Sequence, residues 1–343
     1  MRICINFSIN SSGGGGYHAI KFVKEYLNEQ RTDFYFIFNN KIQLDKWPRN
    51  YIIVESPARS FKSKKIIRDY IKINSITTIY TMAGPSYVNF KGTHILGLSN
   101  AWLLRSNSSL LFKLYSPYTA CYEYLRIFWQ RYNINRNAKI YIFQSNESLN
   151  LFNEEFPFMR NKSVVIENAH VISSEKLQNE TENIIVIGSS YQHKGVYELY
   201  SYLTRNMSEY GGNVFNFYVS EKEWDVLIKR YGTNSSVVNK GLYKPSEEAV
   251  IMSRASCVIL PSYLETVSGS AITAGAIGAK VIARNKNFNK AVFGDSAEYF
   301  DSYVELIDLI SKDLVQSRLF YPVLTYAERY NKILNLVEEL CVE

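Results

Sequence analysis

The chain has 343 residues, 46% of them hydrophobic, a length beyond one ordinary core, so two domains are expected. Its formal net charge of +7 is uneven: residues 1–170 hold 22 Lys and Arg against 11 Asp and Glu, while residues 171–343 hold 17 against 21. Cys4, Cys121, Cys257 and Cys341 show no metal or redox spacing, the start lacks a signal-peptide layout, and no apolar run is long enough to span a bilayer. A disulfide scaffold and a membrane-spanning protein are therefore set aside, and a reducing, cytoplasmic setting is expected. A basic amino-terminal half suits nucleic acid, an anionic membrane face or a phosphorylated acceptor; scattered surface lysines kept for solubility would give the same balance.

In chain order, residues 2–9 read as an apolar strand. Gly13-Gly14-Gly15-Gly16 follow as a loop, and residues 17–27 as a helix with Ile20, Val23 and Leu27 on one face. Strands are expected at 34–38, 52–55, 78–82, 94–98 and 140–144, with a basic helix at 64–72. The stretch 102–132 is aromatic and helical in pattern. Its Leu110, Leu111, Leu114, Tyr118, Tyr122, Leu125 and Trp129 are read mainly as packing residues. The alternative places part of it on a membrane, because Lys113, Arg126 and Arg131 interleave with Phe112, Phe128 and Trp129.

Residues 173–183 turn polar and read as a linker. A second βα rhythm follows, with strands at 184–187, 214–219, 257–260 and 280–283 and helices at 196–205, 247–253, 270–276 and 321–339. Strands alternating with helices predict an α/β protein with doubly wound parallel sheets. The expected domains are 1–172 and 183–320, with a helical segment, 321–343, placed to cross back to the first.

Three features fall beyond the carboxyl ends of expected strands, where open α/β sheets bind ligands. The first is the glycine run, with Gly15 and Gly16 just before a helix and His18 just after it. It is no dinucleotide fingerprint, since the second strand ends Phe38-Asn39-Asn40 without an acid. The second is Gly188-Ser189-Ser190-Tyr191-Gln192-His193-Lys194-Gly195 after a strand. A lysine at a helix start opposes the helix dipole, and makes sense if an anion such as a diphosphate sits there. The third is the most specific: Pro261-Ser262-Tyr263-Leu264-Glu265-Thr266-Val267-Ser268-Gly269-Ser270, then a small-residue helix and a closing strand. Backbone N–H groups at 267–270 would face phosphates, and Glu265 would accept from sugar hydroxyls.

The stretch 258–283 resembles the donor signature of the family-4 retaining glycosyltransferases: Pro-Ser-x-x-Glu, a Gly-rich turn, a second Glu eight residues on, then a small-residue helix. The loop 189–195 resembles their Arg-x(4)-Lys-Gly phosphate loop, and Val164-Val165-Ile166-Glu167-Asn168-Ala169 resembles the stretch leading out of their first domain. The run Asn239-Lys240-Gly241-Leu242 with Glu247 and Glu248 resembles what precedes the donor motif. The resemblance covers most of the chain. It implies the GT-B fold, two doubly wound Rossmann-like domains facing a cleft. It also implies transfer, with retention, from a nucleoside-diphosphate sugar to a glycan or lipid-linked acceptor of bacterial surface polysaccharide such as O-antigen.

The resemblance assigns catalysis to Glu265 and Lys194. It assigns donor binding to Gly15, Gly16, Gly188, Ser189, Lys194, Glu265, Thr266, Val267, Ser268, Gly269, Ser270 and Thr273. Three positions depart from the family pattern. Thr273 replaces the second Glu, which holds the ribose hydroxyls in the family; Ser189 replaces the loop Arg; and Lys280 replaces a Pro. The first departure implies a weaker ribose contact or a deoxyribose donor such as a dTDP-sugar. A catalytically degenerate sugar- or nucleotide-binding protein is the alternative reading. The family also places a His near the donor sugar, for which His18 and His94 are the candidates. No Asp-x-Asp or His/Cys ligand cluster appears, so neither metal nor cofactor is expected. Nucleic acid is not expected either, because the basic run 59–72 lacks a base-stacking motif.

Overall fold

The structure is a computed structural model that describes residues 2–10, 13–104, 108–134, 138–171, 181–188, 191–206 and 213–340. It divides into two compact units, one of Met1–Val171 with Val323–Glu343 and one of Ile172–Pro322. The expected linker lies mostly outside the described residues, as does Ser189.

The first unit is built on β1 (Ile3–Phe7), α1 (Gly13–Asn28), β2 (Tyr35–Asn39), β3 (Asn50–Val54), α2 (Phe61–Ile73), β4 (Thr78–Thr81) and β5 (Thr93–Gly97). It continues with α3 (Ala101–Leu104), α4 (Ser108–Leu114), α5 (Pro117–Tyr132), β6 (Ala138–Phe143), α6 (Asn146–Glu155) and β7 (Ser163–Val165). Its sheet runs β3-β2-β1-β4-β5-β6-β7, every pairing parallel. Helices cover both faces of such a sheet, which is why β1 is buried at every residue and reads as an unbroken apolar run. The core on one face stacks Phe7, Phe36 and Phe38, with Phe36 and Phe38 ring centroids 5.6 Å apart.

The second unit comprises β8 (Thr181–Val186), α7 (Val196–Arg205), β9 (Val214–Phe217), α8 (Glu221–Tyr231), β10 (Val237–Asn239), α9 (Glu248–Ser253) and β11 (Ala255–Leu260). After these come α10 (Gly269–Ile277), β12 (Val281–Arg284), α11 (Asn287–Phe293), β13 (Glu298–Phe300) and α12 (Tyr303–Ile310). The order β10-β9-β8-β11-β12-β13 is again wholly parallel. The crossover falls between β8 and β11, so the loops after these two strands lie side by side at the sheet's carboxyl edge.

The last helix, α13 (Tyr326–Glu339), belongs to the first unit. It starts later than the sequence suggested, because Thr325 and Glu328 form a capping box, while Leu324 bridges to Ala169 in extended form. Its Tyr330, Ile333, Leu334 and Val337 complete the core beneath α1.

Two expectations are corrected. Gly13 to Gly16 are the first turn of α1, not a loop before it. The aromatic face of α5 is mostly exposed, with Trp129 stacked on Tyr87 at 5.2 Å. Ala120 and Ile127 point inward, whereas Tyr118 is 86% exposed and Tyr122, Leu125, Phe128, Trp129 and Tyr132 are exposed as well. The helix carries apolar residues on both sides, and periodicity alone could not say which side the core would take.

Candidate functional site

A polar constellation at the carboxyl edge of the second sheet is assembled by two loops. Gly195, between β8 and α7, has φ 73° and caps α7. A Cβ at this position would lie 2.3 Å from the Pro261 carbonyl oxygen, so only glycine lets the two loops touch. The contact is continued by the Tyr263 N–H, which donates to the His193 carbonyl at 2.7 Å. Lys194, the last residue of a short 3-10 turn, Gln192–Lys194, is thereby brought to Glu265, and the two form an ion pair. The Ser262 hydroxyl donates to the same carboxylate oxygen at 3.1 Å. The sequence placed Lys194 and Glu265 at one ligand; the structure places them against each other.

The loop carrying Glu265 is held from below. Arg284, buried at the end of β12, donates from Nε to the Pro261 carbonyl at 2.9 Å. Its guanidinium stacks on Tyr263 at 3.8 Å and lies 4.8 Å from the Phe300 ring. The Tyr263 hydroxyl in turn donates to Glu198 on α7. Burial pushes the Tyr263 phenol up to about 12, so it stays a donor. Beside Lys194, burial and the lysine charge hold His193 down to about 4, against the opposing pull of Glu265. This histidine is neutral near pH 7.

A second carboxylate stands at the start of α10. Ser268 caps this helix through its hydroxyl, which accepts from the Ala271 N–H at 3.3 Å. Around the first turn, the Ser270 hydroxyl donates to Glu248 Oε1 at 2.6 Å and Thr273 donates to Glu248 Oε2 at 2.9 Å. The Tyr243 phenol adds a third hydrogen bond to Oε1 at 2.8 Å. Burial first, then the Glu248 charge, pushes that phenol well up. Thr273 is thus a holder of Glu248, which α9 delivers to the same helical turn. Sequence reading quoted Glu248 without giving it a role. The available signal was a glutamate at a helix start, one helix before the small-residue helix that α9 packs against.

The remaining expected residues divide. Gly188 is at the end of β8, where an added Cβ would meet Val196 at 2.6 Å, so its place is set by packing. Thr266 and Val267 lead into the Ser268 cap, and Gly269 opens α10. In the first unit, Gly15 and Gly16 lie in the first turn of α1, with the Gly15 carbonyl accepting from Asn10 at 3.1 Å. His94, one of the two candidates for a contact near the donor sugar, lies inside the first unit. Its ring is fully buried near the start of β5, 3.0 Å from the Thr81 hydroxyl and edge-on to Phe90, and burial holds it down to about 3. His18 sits on α1 against Tyr326, ring centroids 5.8 Å apart. Among the described residues no group of His, Cys, Asp or Glu could hold a metal ion, and no helix is long and apolar enough to cross a membrane.

No family model and no curated sequence matches this chain. Solved structures do match in fold. The sucrose-phosphate synthase of Thermosynechococcus elongatus superposes with a TM-score of 0.68 at 14% identity, over 100% of this chain and 99% of that one. The apo lipopolysaccharide outer core galactosyltransferase WaaB gives 0.58 at 14% identity, over 98% and 99%. The pneumococcal O-GlcNAc transferase GtfA, in complex with UDP and GlcNAc, gives 0.57 at 11% identity, over 99% and 92%. With two doubly wound parallel sheets and matches over nearly the whole length, the chain has the GT-B fold of these glycosyltransferases.

Proposed function

We propose that the chain is a metal-independent retaining glycosyltransferase of the family-4 kind, moving a hexose-like sugar from a nucleoside diphosphate to a glycan or lipid-linked acceptor. The observation that carries this reading is the Lys194–Glu265 pair on two loops that only Gly195 allows to touch, beside the amino terminus of α10. In the transfer, the acceptor oxygen bonds to the sugar's C1 and the C1–O bond to the diphosphate breaks. The electron pair goes to the diphosphate, and the hydroxyl proton is released to it or to water. Lys194 and the first-turn N–H groups of α10 would stabilise the charge that grows there, and Glu265 would orient the sugar. Glu248, fixed by three hydroxyl donors, would meet the ribose hydroxyls in place of the glutamate that Thr273 replaces.

The setting proposed is surface polysaccharide synthesis, including O-antigen or lipopolysaccharide, at the inner face of the cytoplasmic membrane. The exposed Tyr118, Tyr122, Leu125, Phe128 and Trp129 of α5 support a peripheral membrane contact, since Tyr and Trp suit the headgroup layer. The GtfA complex and the name of WaaB support the donor and acceptor classes. A binder without turnover is the second reading, favoured by the missing second glutamate at Thr273. The deciding experiment offers UDP-, GDP- and dTDP-sugars with lipid-linked and soluble acceptors, with and without a chelator. Transfer that survives the chelator supports the proposal. Binding with neither transfer nor donor hydrolysis favours the binder, and transfer restored only by metal contradicts the site as assigned.

A further inference from the structure

The buried charged side chain of α13, Arg329, has no partner among the described residues, whereas three of its more exposed neighbours do. Glu338 pairs with Arg31 at 3.2 Å, Lys332 with Glu167 at 3.2 Å, and Glu328 closes the capping box at Thr325. Arg329 is the exception. It is 7% exposed, its Nε is enclosed without an acceptor, and among the described residues its guanidinium has neither a hydrogen bond nor an ion pair. A guanidinium holds five donors in a rigid fork and cannot shed its proton. Burying that charge without an anion is strongly unfavourable, and structures keep such a group only where something compensates it.

The surroundings of Arg329 share the deficit. Its charge acts on His18, on Tyr326 and on the buried Tyr80 of β4. The His18 Nδ1 is also enclosed without a partner. Burial, then Arg329 and then His170, holds this imidazole down to about 3, so it is neutral. Lys21 lies 5.3 Å from the Tyr17 ring and 5.7 Å from the Tyr326 ring, and no carboxylate among the described residues pairs with it. All of this surrounds the opening turns of α1, a helix of 16 residues whose amino terminus carries partial positive charge.

We propose that Arg329, His18 and the amino-terminal turns of α1 form a binding site for a phosphate group of the acceptor. A phosphate monoester or the terminal phosphate of a diphosphate fits this chemistry. The guanidinium fork donates to two of its oxygens, His18 donates to a third when its proton sits on Nδ1, and Lys21 adds longer-range charge. The assignment to the acceptor rests on the glycosyltransferase reading above; the anion site itself does not.

The test uses the full chain, the parent beside Arg329→Met and His18→Gln. Inorganic phosphate is the first probe, read by calorimetry and by thermal unfolding against chloride at matched ionic strength. The parent's Tm should rise with phosphate, since a ligand that binds only the folded state stabilises it. Arg329→Met should melt at or above the parent in phosphate-free buffer, because an uncompensated buried charge is gone. It should also lose at least about tenfold in phosphate affinity. His18→Gln should lose less. A parent without a phosphate-specific shift overturns the site, as does an Arg329→Met protein that binds phosphate like the parent or melts well below it without phosphate. UDP affinity should be equal in the parent and Arg329→Met; a parallel loss would make this part of the donor site and overturn the assignment. A parent that binds phosphate through Arg329 but binds no nucleotide would sink the glycosyltransferase reading and leave the anion site standing. Competition with a hexose 6-phosphate and with a polyprenyl diphosphate in micelles separates the sources. Displacement by either supports an acceptor phosphate, and displacement by neither overturns it.

Discussion

The two units are built from similar elements but differ in how far their buried charges are paired. In the second unit, Lys194, Glu265 and Ser262 satisfy one another, and Glu248 takes hydrogen bonds from Tyr243, Ser270 and Thr273. In the first unit, the Arg329 Nε and the His18 Nδ1 are enclosed without partners; in the second, so is the Nη2 of Arg284 below the Glu265 loop. A satisfied network is rigid before any ligand arrives and can direct its charges without reorganising. An unsatisfied one stores unfavourable free energy that a ligand of the right charge releases on binding. Under the two proposals, the second unit holds a group still and the first gains from taking one up.

The largest effect that would sharpen the contrast is on catalysis. Glu265→Gln and Lys194→Ala are each expected to lower transfer by about 10²–10³-fold, the range for removing a group that stabilises developing charge. Circular dichroism and thermal melting should show both variants folded. Near-normal steady-state rates in both would end the assignment of these residues.

The second comparison concerns the ribose. If Glu248 accepts from the sugar hydroxyls, the parent should prefer UDP to 2′-deoxy-UDP by about 10-fold or more, as a charged hydrogen bond of about 1.5–3 kcal/mol implies. Glu248→Gln should shrink that ratio more than it lowers overall affinity. Equal affinity of the parent for both nucleotides would instead favour a deoxyribose donor and leave Glu248 as a clamp on α10. Titration calorimetry reads both quantities.

A smaller effect concerns the three histidines with lowered pKa, of which His94 is fully buried. His94 and His18 are held near 3 and His193 near 4, all below the value of about 6.5 for a free histidine. The unfolded chain therefore takes up protons first on acidification. Stability from these groups is fully present above about pH 6.5 and is lost as pH falls toward 3 to 4, by up to about 1.4 kcal/mol per pH unit for each fully buried histidine. Denaturant unfolding between pH 7 and 5 should show this slope. His94→Gln should reduce it by about one proton, and an unchanged slope would mean that His94 is charged in the folded protein.

Much of this was legible before the structure. Apolar runs such as 3–7 and 257–260 announced buried parallel strands, because helices on both faces leave no strand side for polar residues. The motif from Pro261 to Ser270 suggests a ligand site because glycine and small residues let a ligand approach backbone N–H groups, and the proposed function rests on that suggestion. Less visible were Arg284 and Glu198, which fix the Glu265 loop from β12 and α7. They lie in ordinary-looking elements, and their meaning depends on what stacks against them. The face of α5 was misjudged for the same reason: an aromatic stripe states that a face is apolar, not what covers it.

The sequence by itself determined two doubly wound halves, the position of the donor-like loop and the absence of recognisable metal spacing, because periodicity, turn chemistry and ligand spacing are local properties of a chain. Tertiary structure alone decided that Lys194 meets Glu265 across 71 positions, that Glu248 reaches Thr273 from another helix, and that α13 carries Arg329 into the first unit without a partner. Those facts are pairings and vacancies between distant segments. Whether a buried charge finds a partner depends on which elements pack together, and the order of residues along a chain does not contain that by local rules.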